Sequence, residues 1–385
     1  MNSNLEKIVE GKTKLFIPKD NIVNHHPRKF PAFFNPLAKF NRDISIGIYK
    51  AFTEINDNVF TFADCLSGVG SRGLRVAVEI PKIETVYLND FNKLALDLAC
   101  NSSKINNVND KCKFSLQEVE QFLISHSSSE TKFNILDLDP FGSPSRYIDI
   151  ALRSLQNNGL LSITATDTAV LCGVHPIVSK RKYGGKSLKT EYCHELAVRL
   201  LVGSIASAAV KLDIGIYPLF SHFNKHYVRA YVNIKFGIKH ANQTLLNLGY
   251  VNHCSKCGHR LISLNSVSNC EYCNIDMNYS GPLWTGELNQ KKIIEQAIKN
   301  FEEWEMNDCV KFITRALDEC VDEPTYFVVH DITHKLKVIC PPLDKIIDNL
   351  RNSGYKASRT IFNPNGIKTN CKIQECKKII KALAI

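Results

Sequence analysis

Short segments rich in aliphatic and aromatic residues, strand-like in pattern, fall near 59–65, 84–89, 112–115, 133–138 and 159–166. Between them the apolar positions recur every three to four residues, at 71–80 (Leu74, Val76, Ala77, Ile80), 92–106, 117–125 and 144–157, which predicts helices. Strand and helix alternate. The expected fold is therefore α/β, a doubly wound sheet with helices on both faces. A helical stretch at 190–211 and two further strands, at 214–220 and 226–236, add an antiparallel pair. Beyond about residue 240 the pattern changes to a cysteine-bearing segment followed by helices. That change predicts two domains, 1–239 and a smaller α+β domain at 240–385. Near its end, helices at 325–336 and 341–352, then a hairpin turning at Pro364-Asn-Gly366, predict a winged-helix-like unit over 324–370.

Two strands end in residues that carry chemistry. The strand at 59–65 ends in Asp64 and leads into Gly68-Val-Gly70-Ser-Arg72-Gly73, a loop able to seat a nucleotide-type ligand. The next strand ends in Asp90, where a carboxylate can accept both hydroxyls of a ribose. Dehydrogenases that use NAD share this layout. Here, however, no long apolar helix follows the glycines to cradle a pyrophosphate, so S-adenosylmethionine fits better. The strand at 133–138 delivers Asp139-Pro140-Phe141. Asp-Pro also opens ordinary turns, but its place beside a methyl-donor loop points to methylation of an exocyclic amine. The lone pair of such an amine is delocalised into the ring. The Asp139 carboxylate and the Pro140 carbonyl can accept from the N–H groups and draw the nitrogen toward tetrahedral geometry, while Phe141 stacks on the base.

The chain has 385 residues, of which 44% are hydrophobic, and no apolar run approaches the ~20 needed to cross a bilayer. A soluble protein with no membrane contact is expected. The start, Met1 to Lys7, has no apolar signal segment, so the 14 cysteines are expected in the reducing cytoplasm as thiols or metal ligands. Four of them, Cys254-Ser-Lys-Cys257 and Cys270-Glu-Tyr-Cys273, are spaced as a tetrahedral zinc module. With sulfur in every position, that zinc is structural. Lysines and arginines exceed acids by ten, which favours a polyanionic partner without deciding one. Lys180, Arg181, Lys182 and Lys186 surround Tyr183-Gly-Gly185 in what reads as a loop after the fifth strand. It is either a phosphate contact or a solvated loop. Lys356, Arg359 and Lys368 pose the same alternative near the carboxy terminus.

These residues together resemble the tRNA guanine-26 N2-dimethyltransferase family in its compact archaeal form. The likeness runs nearly end to end, through Glu10-Gly-Lys12, Phe33-Phe-Asn-Pro36, Asn41-Arg42-Asp43, the glycine loop, Asn89-Asp90 and Asp137-Leu-Asp139-Pro-Phe-Gly-Ser-Pro144. It continues in Thr164-Ala-Thr-Asp167, Leu171-Cys-Gly173, Glu191-Tyr-Cys-His-Glu195, Pro218-Leu-Phe-Ser-His222, Gly281-Pro-Leu-Trp284 and Arg359 to Thr369. The resemblance implies a Rossmann-like class I methyltransferase domain with S-adenosylmethionine as donor and tRNA as partner; no obligate protein partner is evident. It implies that Asp139, Pro140 and Phe141 receive the guanine N2, with Phe33 and Phe141 sandwiching a flipped base. Arg42, Asp64, Gly68, Gly70, Arg72 and Asp90 would line the cofactor. Glu118, in a segment that departs from the family pattern, would meet the adenine amine. Two methyl transfers to one nitrogen are implied. Another nucleic-acid or protein amine methyltransferase, or a silent RNA-binding protein, are the competing classes; retention of both Asp90 and Asp139 argues against the last.

Overall fold

The computed structural model describes residues 5–23, 32–56, 60–319 and 323–384; Met1 to Asn4 and Val59, named above, lie outside them. A hairpin, β1 (Leu5–Glu10) and β2 (Thr13–Pro18), and a one-turn helix α1 (Asp20–Val23) precede the long helix α2 (Lys39–Ile55). Then β3 (Phe60–Asp64), α3 (Ser71–Glu79), β4 (Ile83–Asn89), α4 (Lys93–Ile105), β5 (Cys112–Ser115), α5 (Val119–Ser125), β6 (Phe133–Leu138), α6 (Ile148–Arg153) and β7 (Leu155–Ala165) alternate as the periodicity requires. Helices α7 (Thr168–Leu171), α8 (Pro176–Tyr183) and α9 (Cys193–Ala209) lead to β8 (Ile214–Asn224) and β9 (Tyr227–Phe236). These strands make one seven-stranded sheet in the order β5-β4-β3-β6-β7-β9-β8. The first five run parallel and β9 and β8 antiparallel.

Strand order reverses between β3 and β6, and open sheets of this kind collect their ligands outside the carboxyl ends of the strands at that reversal. The central strands are nearly all buried, as in the run Phe62, Ala63 and Ile135, Leu136. Each large apolar side chain so placed stabilises the fold by roughly 1.5–3 kcal/mol.

The remaining chain forms α10 (Ile238–Leu245), a three-stranded sheet of β10 (Leu248–His253), β11 (Arg260–Ser263) and β12 (Asn278–Trp284), and helices α11 (Lys291–Glu303) and α12 (Asn307–Asp318). Ile293, Ile294, Ala297 and Phe301 of α11 share one hydrophobic core with the main sheet. A separate small core unites β13 (Phe327–Val328), α13 (Val329–Leu336), α14 (Leu343–Asn352), β14 (Ala357–Thr360), β15 (Asn363–Thr369) and α15 (Ile373–Leu383). Among the described residues no helix is long and apolar enough to cross a membrane.

Three sequence expectations are corrected. The helix expected at 144–157 is confined to Ile148–Arg153, because Ser154 ties its hydroxyl to Leu123 and β7 already begins at Leu155. The basic segment is not an open loop: Lys180, Arg181 and Lys182 occupy the last turn of α8, which starts on Pro176 and ends on Gly184 at φ +77°. That proline start and left-handed glycine stop were readable signals. The final hairpin reverses at Ile361 and Phe362, and its ladder breaks between Arg359 and Thr360, leaving Pro364 to Gly366 as a bulge rather than the turn.

Candidate active site

Asp64, the last residue of β3, is in direct register with Asp137, the last but one of β6, so two carboxylates lie side by side, both buried. Such a pair needs cations, and the fold supplies two. Arg72, in the first turn of α3, donates from Nη1 to Asp137 Oδ1 at 2.7 Å, and from Nη2 to Asp139 Oδ2 at 2.7 Å and Asn41 Oδ1 at 2.9 Å. Arg229, fully buried on β9, donates to Asp137, to the Tyr49 hydroxyl at 2.8 Å, to Ser162 at 2.7 Å and to Thr164, while its Nε meets Tyr231 at 2.9 Å. Tyr49 also donates to Asp137.

The consequence for acidity differs between the acids. Burial, with Asp137 next, pushes Asp64 up; Gly73 N–H, 3.0 Å away, and Arg72 oppose this. Burial also acts against ionised Asp139, but Arg72 and Arg229 outweigh it and hold this carboxyl below its ordinary value. Asp139 is 27% exposed. It is thus a fixed, ionised, acceptor-only group at the edge of solvent, the state required to accept from an amine.

The loop beyond Asp139 is clamped in turn. Gly142, at φ +77°, donates to Thr166 Oγ1 at 2.7 Å, and Thr166 N donates back to Gly142 O at 2.9 Å. Asp167 accepts from Tyr183 of α8 at 2.5 Å and lies 3.5 Å from Lys182. The basic turn of α8 is therefore anchored beside the Asp139 loop. Pro140 is buried and Phe141 is 57% exposed. The Phe33 and Phe141 rings meet edge to face, centroids 4.8 Å apart at 86°. A sandwiched base needs parallel rings about 7 Å apart, two contact distances, so from this edge-on arrangement one ring must turn aside to admit a base.

On the cofactor side, Asp90 accepts Gly68 N–H at 2.8 Å and Asn92 N–H at 2.9 Å. Burial, opposed by these amides, raises its pKa, with exposed Glu118 nearby adding to the rise. Gly68 and Gly70 take φ of +53° and +78°, and a Cβ on Gly70 would lie 2.8 Å from Ala99 Cβ, so glycine is required there. The buried Ser67 Oγ and Asn89 Oδ1, flanking this loop, have no hydrogen-bond partner among the described residues. Two of the residues expected at the cofactor have protein partners. The Arg72 terminal nitrogens are engaged by Asp137, Asp139 and Asn41, while its buried Nε has no hydrogen-bond partner among the described residues. Arg42 is buried on Glu10, at 2.6 Å to both oxygens, and on the Asn35 carbonyl at 3.0 Å, so it braces the segment that carries Phe33.

Of the expected cationic contacts, Lys180, Arg181, Lys182 and Lys356 are exposed, and Lys186 lies over the Tyr279 ring at 4.4 Å. Arg359 pairs with Asp344 at 2.8 Å. Lys368 is a correction: it is 5% exposed and ion-paired with Glu195 at 2.9 Å and Glu319 at 3.2 Å, so it cannot meet a phosphate. The sulfurs of Cys254, Cys257, Cys270 and Cys273 all lie within 4.8 Å of one another, with Gly258 and Asn274 at positive φ just after each pair.

The buried partners Asp137, Arg229, Tyr49 and Thr164 escaped functional assignment from the sequence. One signal was available: Asp137 and Arg229 each interrupt an apolar strand, and a buried charge demands a partner.

A family model for N2,N2-dimethylguanosine tRNA methyltransferase matches residues 11–381. The chain is 34% identical over 97% of its length to a tRNA (guanine(26)-N(2))-dimethyltransferase of Methanothermobacter thermautotrophicus, covering 98% of that protein. It is likewise 34% identical to the enzyme of that name from Pyrococcus furiosus, over 99% of this chain and 100% of the other. The solved structure of Trm1 from Pyrococcus horikoshii with S-adenosyl-L-methionine superposes with a TM-score of 0.86 at 32% identity, over 98% of this chain and all of that one. The mixed central sheet and this likeness make the fold that of an α/β methyltransferase. On these grounds the chain belongs to the N2,N2-dimethylguanosine tRNA methyltransferase family.

Proposed function

We propose that this protein methylates N2 of guanine 26 in tRNA twice, giving N2,N2-dimethylguanosine with S-adenosylmethionine as donor. The observation that carries the reading is the Asp139 carboxylate, held ionised by Arg72 and Arg229, two residues before an exposed aromatic ring. Asp139 and the Pro140 carbonyl accept the amine hydrogens, so the nitrogen lone pair is turned out of conjugation. Phe141 and Phe33 close on the base faces, each stacking contact contributing roughly 1–3 kcal/mol against the cost of flipping the nucleotide. After the first transfer the nitrogen keeps one N–H. The same carboxylate can therefore orient it again.

S-adenosylmethionine, when bound, supplies an electrophilic methyl group on a sulfonium. The residues present fit it: Asp90 for the ribose, the unpartnered Ser67 and Asn89 atoms and the glycine backbone along it, and Glu118 near its base end. A structural zinc ion suits the four clustered thiols, whose paired turns present two sulfurs each. Residues 1–239 would form the methyltransferase domain and 240–385 the RNA-gripping domain, with Lys180, Arg181, Lys182, Lys186, Lys356 and Arg359 meeting phosphates.

The test is nucleoside mass analysis of a tRNA transcript incubated with enzyme and labelled donor. Monomethyl and then dimethyl guanosine should form, and a transcript with adenosine at position 26 should stay unlabelled. Label in a protein substrate but not in RNA would overturn the reading.

A further inference from the structure

Outside this site and the four-thiol module, the described residues contain one more group of close metal-binding atoms. Cys172, Cys193 and His194 each offer a donor atom, and the three donors lie within 4.8 Å of one another. All three side chains are half-buried, so an ion and water can reach them. We propose that they form a second transition-metal site, of the class that holds zinc, with two thiolates, one imidazole and a water completing the tetrahedron.

The backbone brings the donors together by design of two turns. Cys172 follows α7, with its N–H on Thr168 O at 2.8 Å, and Cys193 opens α9, with its N–H on Thr190 O at 3.2 Å. Between them Gly173, at φ +92°, lets its turn lie against the 188–190 segment: a Cβ there would fall 2.2 Å from Lys189 N. The Cys172 thiol already reaches the Cys193 carbonyl at 3.8 Å, an interaction that a ligating thiolate gives up.

The imidazole is prepared as a ligand. His194 Nδ1 lies 3.3 Å from the Phe362 carbonyl. A carbonyl only accepts, so Nδ1 carries the proton and Nε2 keeps the lone pair. Metal-bound histidines typically hold their other nitrogen in this way. The ring is also stacked on Phe223, centroids 4.0 Å apart at 13°, which fixes its plane. Tetrahedral zinc with bonds of about 2.3 Å to sulfur and 2.0 Å to nitrogen puts ligands roughly 3.5–3.8 Å apart, so modest side-chain rotation closes the set. Two thiols release their protons on binding, and two thiolates with a divalent ion leave no net charge in a half-buried place.

Through Phe362 the ion would couple the start of α9 to the β14–β15 turn, and through Cys172 to the segment after β7 that clamps the Asp139 loop. It is an anchor, and its presence is read by metal content rather than by turnover.

The experiment is titration of the reduced full-length chain with cobalt(II) alone, whose visible and charge-transfer bands report thiolate ligation. We expect two equivalents with distinct spectra. Cys172→Ser/Cys193→Ser should bind one fewer than the wild type, and Cys254→Ser/Cys257→Ser should keep the band with fewer sulfurs. His194→Ala, which spares both thiols, should weaken that same equivalent by roughly 10-fold or more. Because the count is taken relative to the wild type, loss of one equivalent in the Cys172→Ser/Cys193→Ser chain supports the site even if the four-thiol module binds nothing. Equal counts in that variant and the wild type, with circular dichroism showing both folded, overturn it. Should the double variant not fold, an unchanged wild-type spectrum in His194→Ala overturns it equally.

Discussion

Arg72 Nη2 stands 2.7 Å from Asp139 Oδ2 while Nη1 of the same guanidinium stands 2.7 Å from Asp137. One planar cation thereby spans the two acids that flank Leu138 on β6, and fixes where the solvent-edge carboxylate points. Removal of either acid therefore also releases one side of the cation that positions the other.

Asp139→Ala should lower turnover by at least about 100-fold, the cost of misplacing a reacting atom by an ångström. Calorimetric affinity for S-adenosylmethionine should remain near the wild-type value. Near-normal single-turnover rates would remove Asp139 from the chemistry.

Arg229→Met leaves Asp137, which is fully buried, with Arg72 as its remaining cation. Breaking a buried pair from one side typically costs about 3–5 kcal/mol. The urea midpoint should fall accordingly, and Asp137→Asn in the same chain should restore part of the loss, a coupling that a double-mutant cycle measures. Additive losses would mean that the two side chains do not act as a unit.

Much of this architecture is legible in the sequence, and the exceptions have physical causes. The strands at 112–115 and 133–138 have their predicted limits, and the second is an apolar-rich run closed by Lys132 and Asp139. Asp64, Asp90 and Asp139 stand at strand ends, as the pattern requires. Lys368 reads as a surface cation because its two acid partners come from α9 and from just beyond α12, far away in sequence. Arg229 carries no local motif, and its partners converge only when β9 joins β7. Charge on a strand reveals burial but not the identity of what it meets.

Asp90→Ala should weaken S-adenosylmethionine binding by about 10- to 150-fold, since a hydrogen bond to an ionised group contributes roughly 1.5–3 kcal/mol. Part of the loss would come from the Gly68 amide, which is deprived of the carboxylate that fixes it. Isothermal titration at matched pH checks this, and wild-type affinity would exclude a ribose role.

His222 is fully buried, neither ring nitrogen has a hydrogen-bond partner among the described residues, and its pKa is lowered from 6.5 to about 3 by burial first and Arg229 second. A folded value below the unfolded one means that the unfolded chain takes up the proton first as pH falls. The stability associated with neutral His222 is complete above pH 6.5 and is lost toward about pH 3, by about 1.4 kcal/mol per pH unit. His222→Phe, which keeps the stack on Phe220, should flatten this acid slope by one proton. Urea midpoints at several pH values give the comparison, and parallel slopes would place the titration elsewhere.

Neutralising Lys180, Arg181 and Lys182 together should weaken tRNA binding and reduce the salt slope by up to about 0.7–0.9 for each phosphate that is no longer neutralised. Turnover at saturating tRNA should change little. An unaltered slope across a salt series would show that these side chains face only water.

The antiparallel hairpin of β8 and β9 has a bearing on how the molecule matures. Arg229 lies in the last strand of the sheet to be synthesised, and until it docks, Asp137 and Asp139 share a single guanidinium. A nascent chain that has released β6 but not β9 therefore holds a surplus negative charge at its centre, which discourages premature closure. Docking of β9 brings the second guanidinium to both acids at once. Carboxy-terminal truncations that end before residue 229 should accordingly lose the whole fold, and a split protein cut between β7 and β9 should regain it only when the second fragment returns the missing cation.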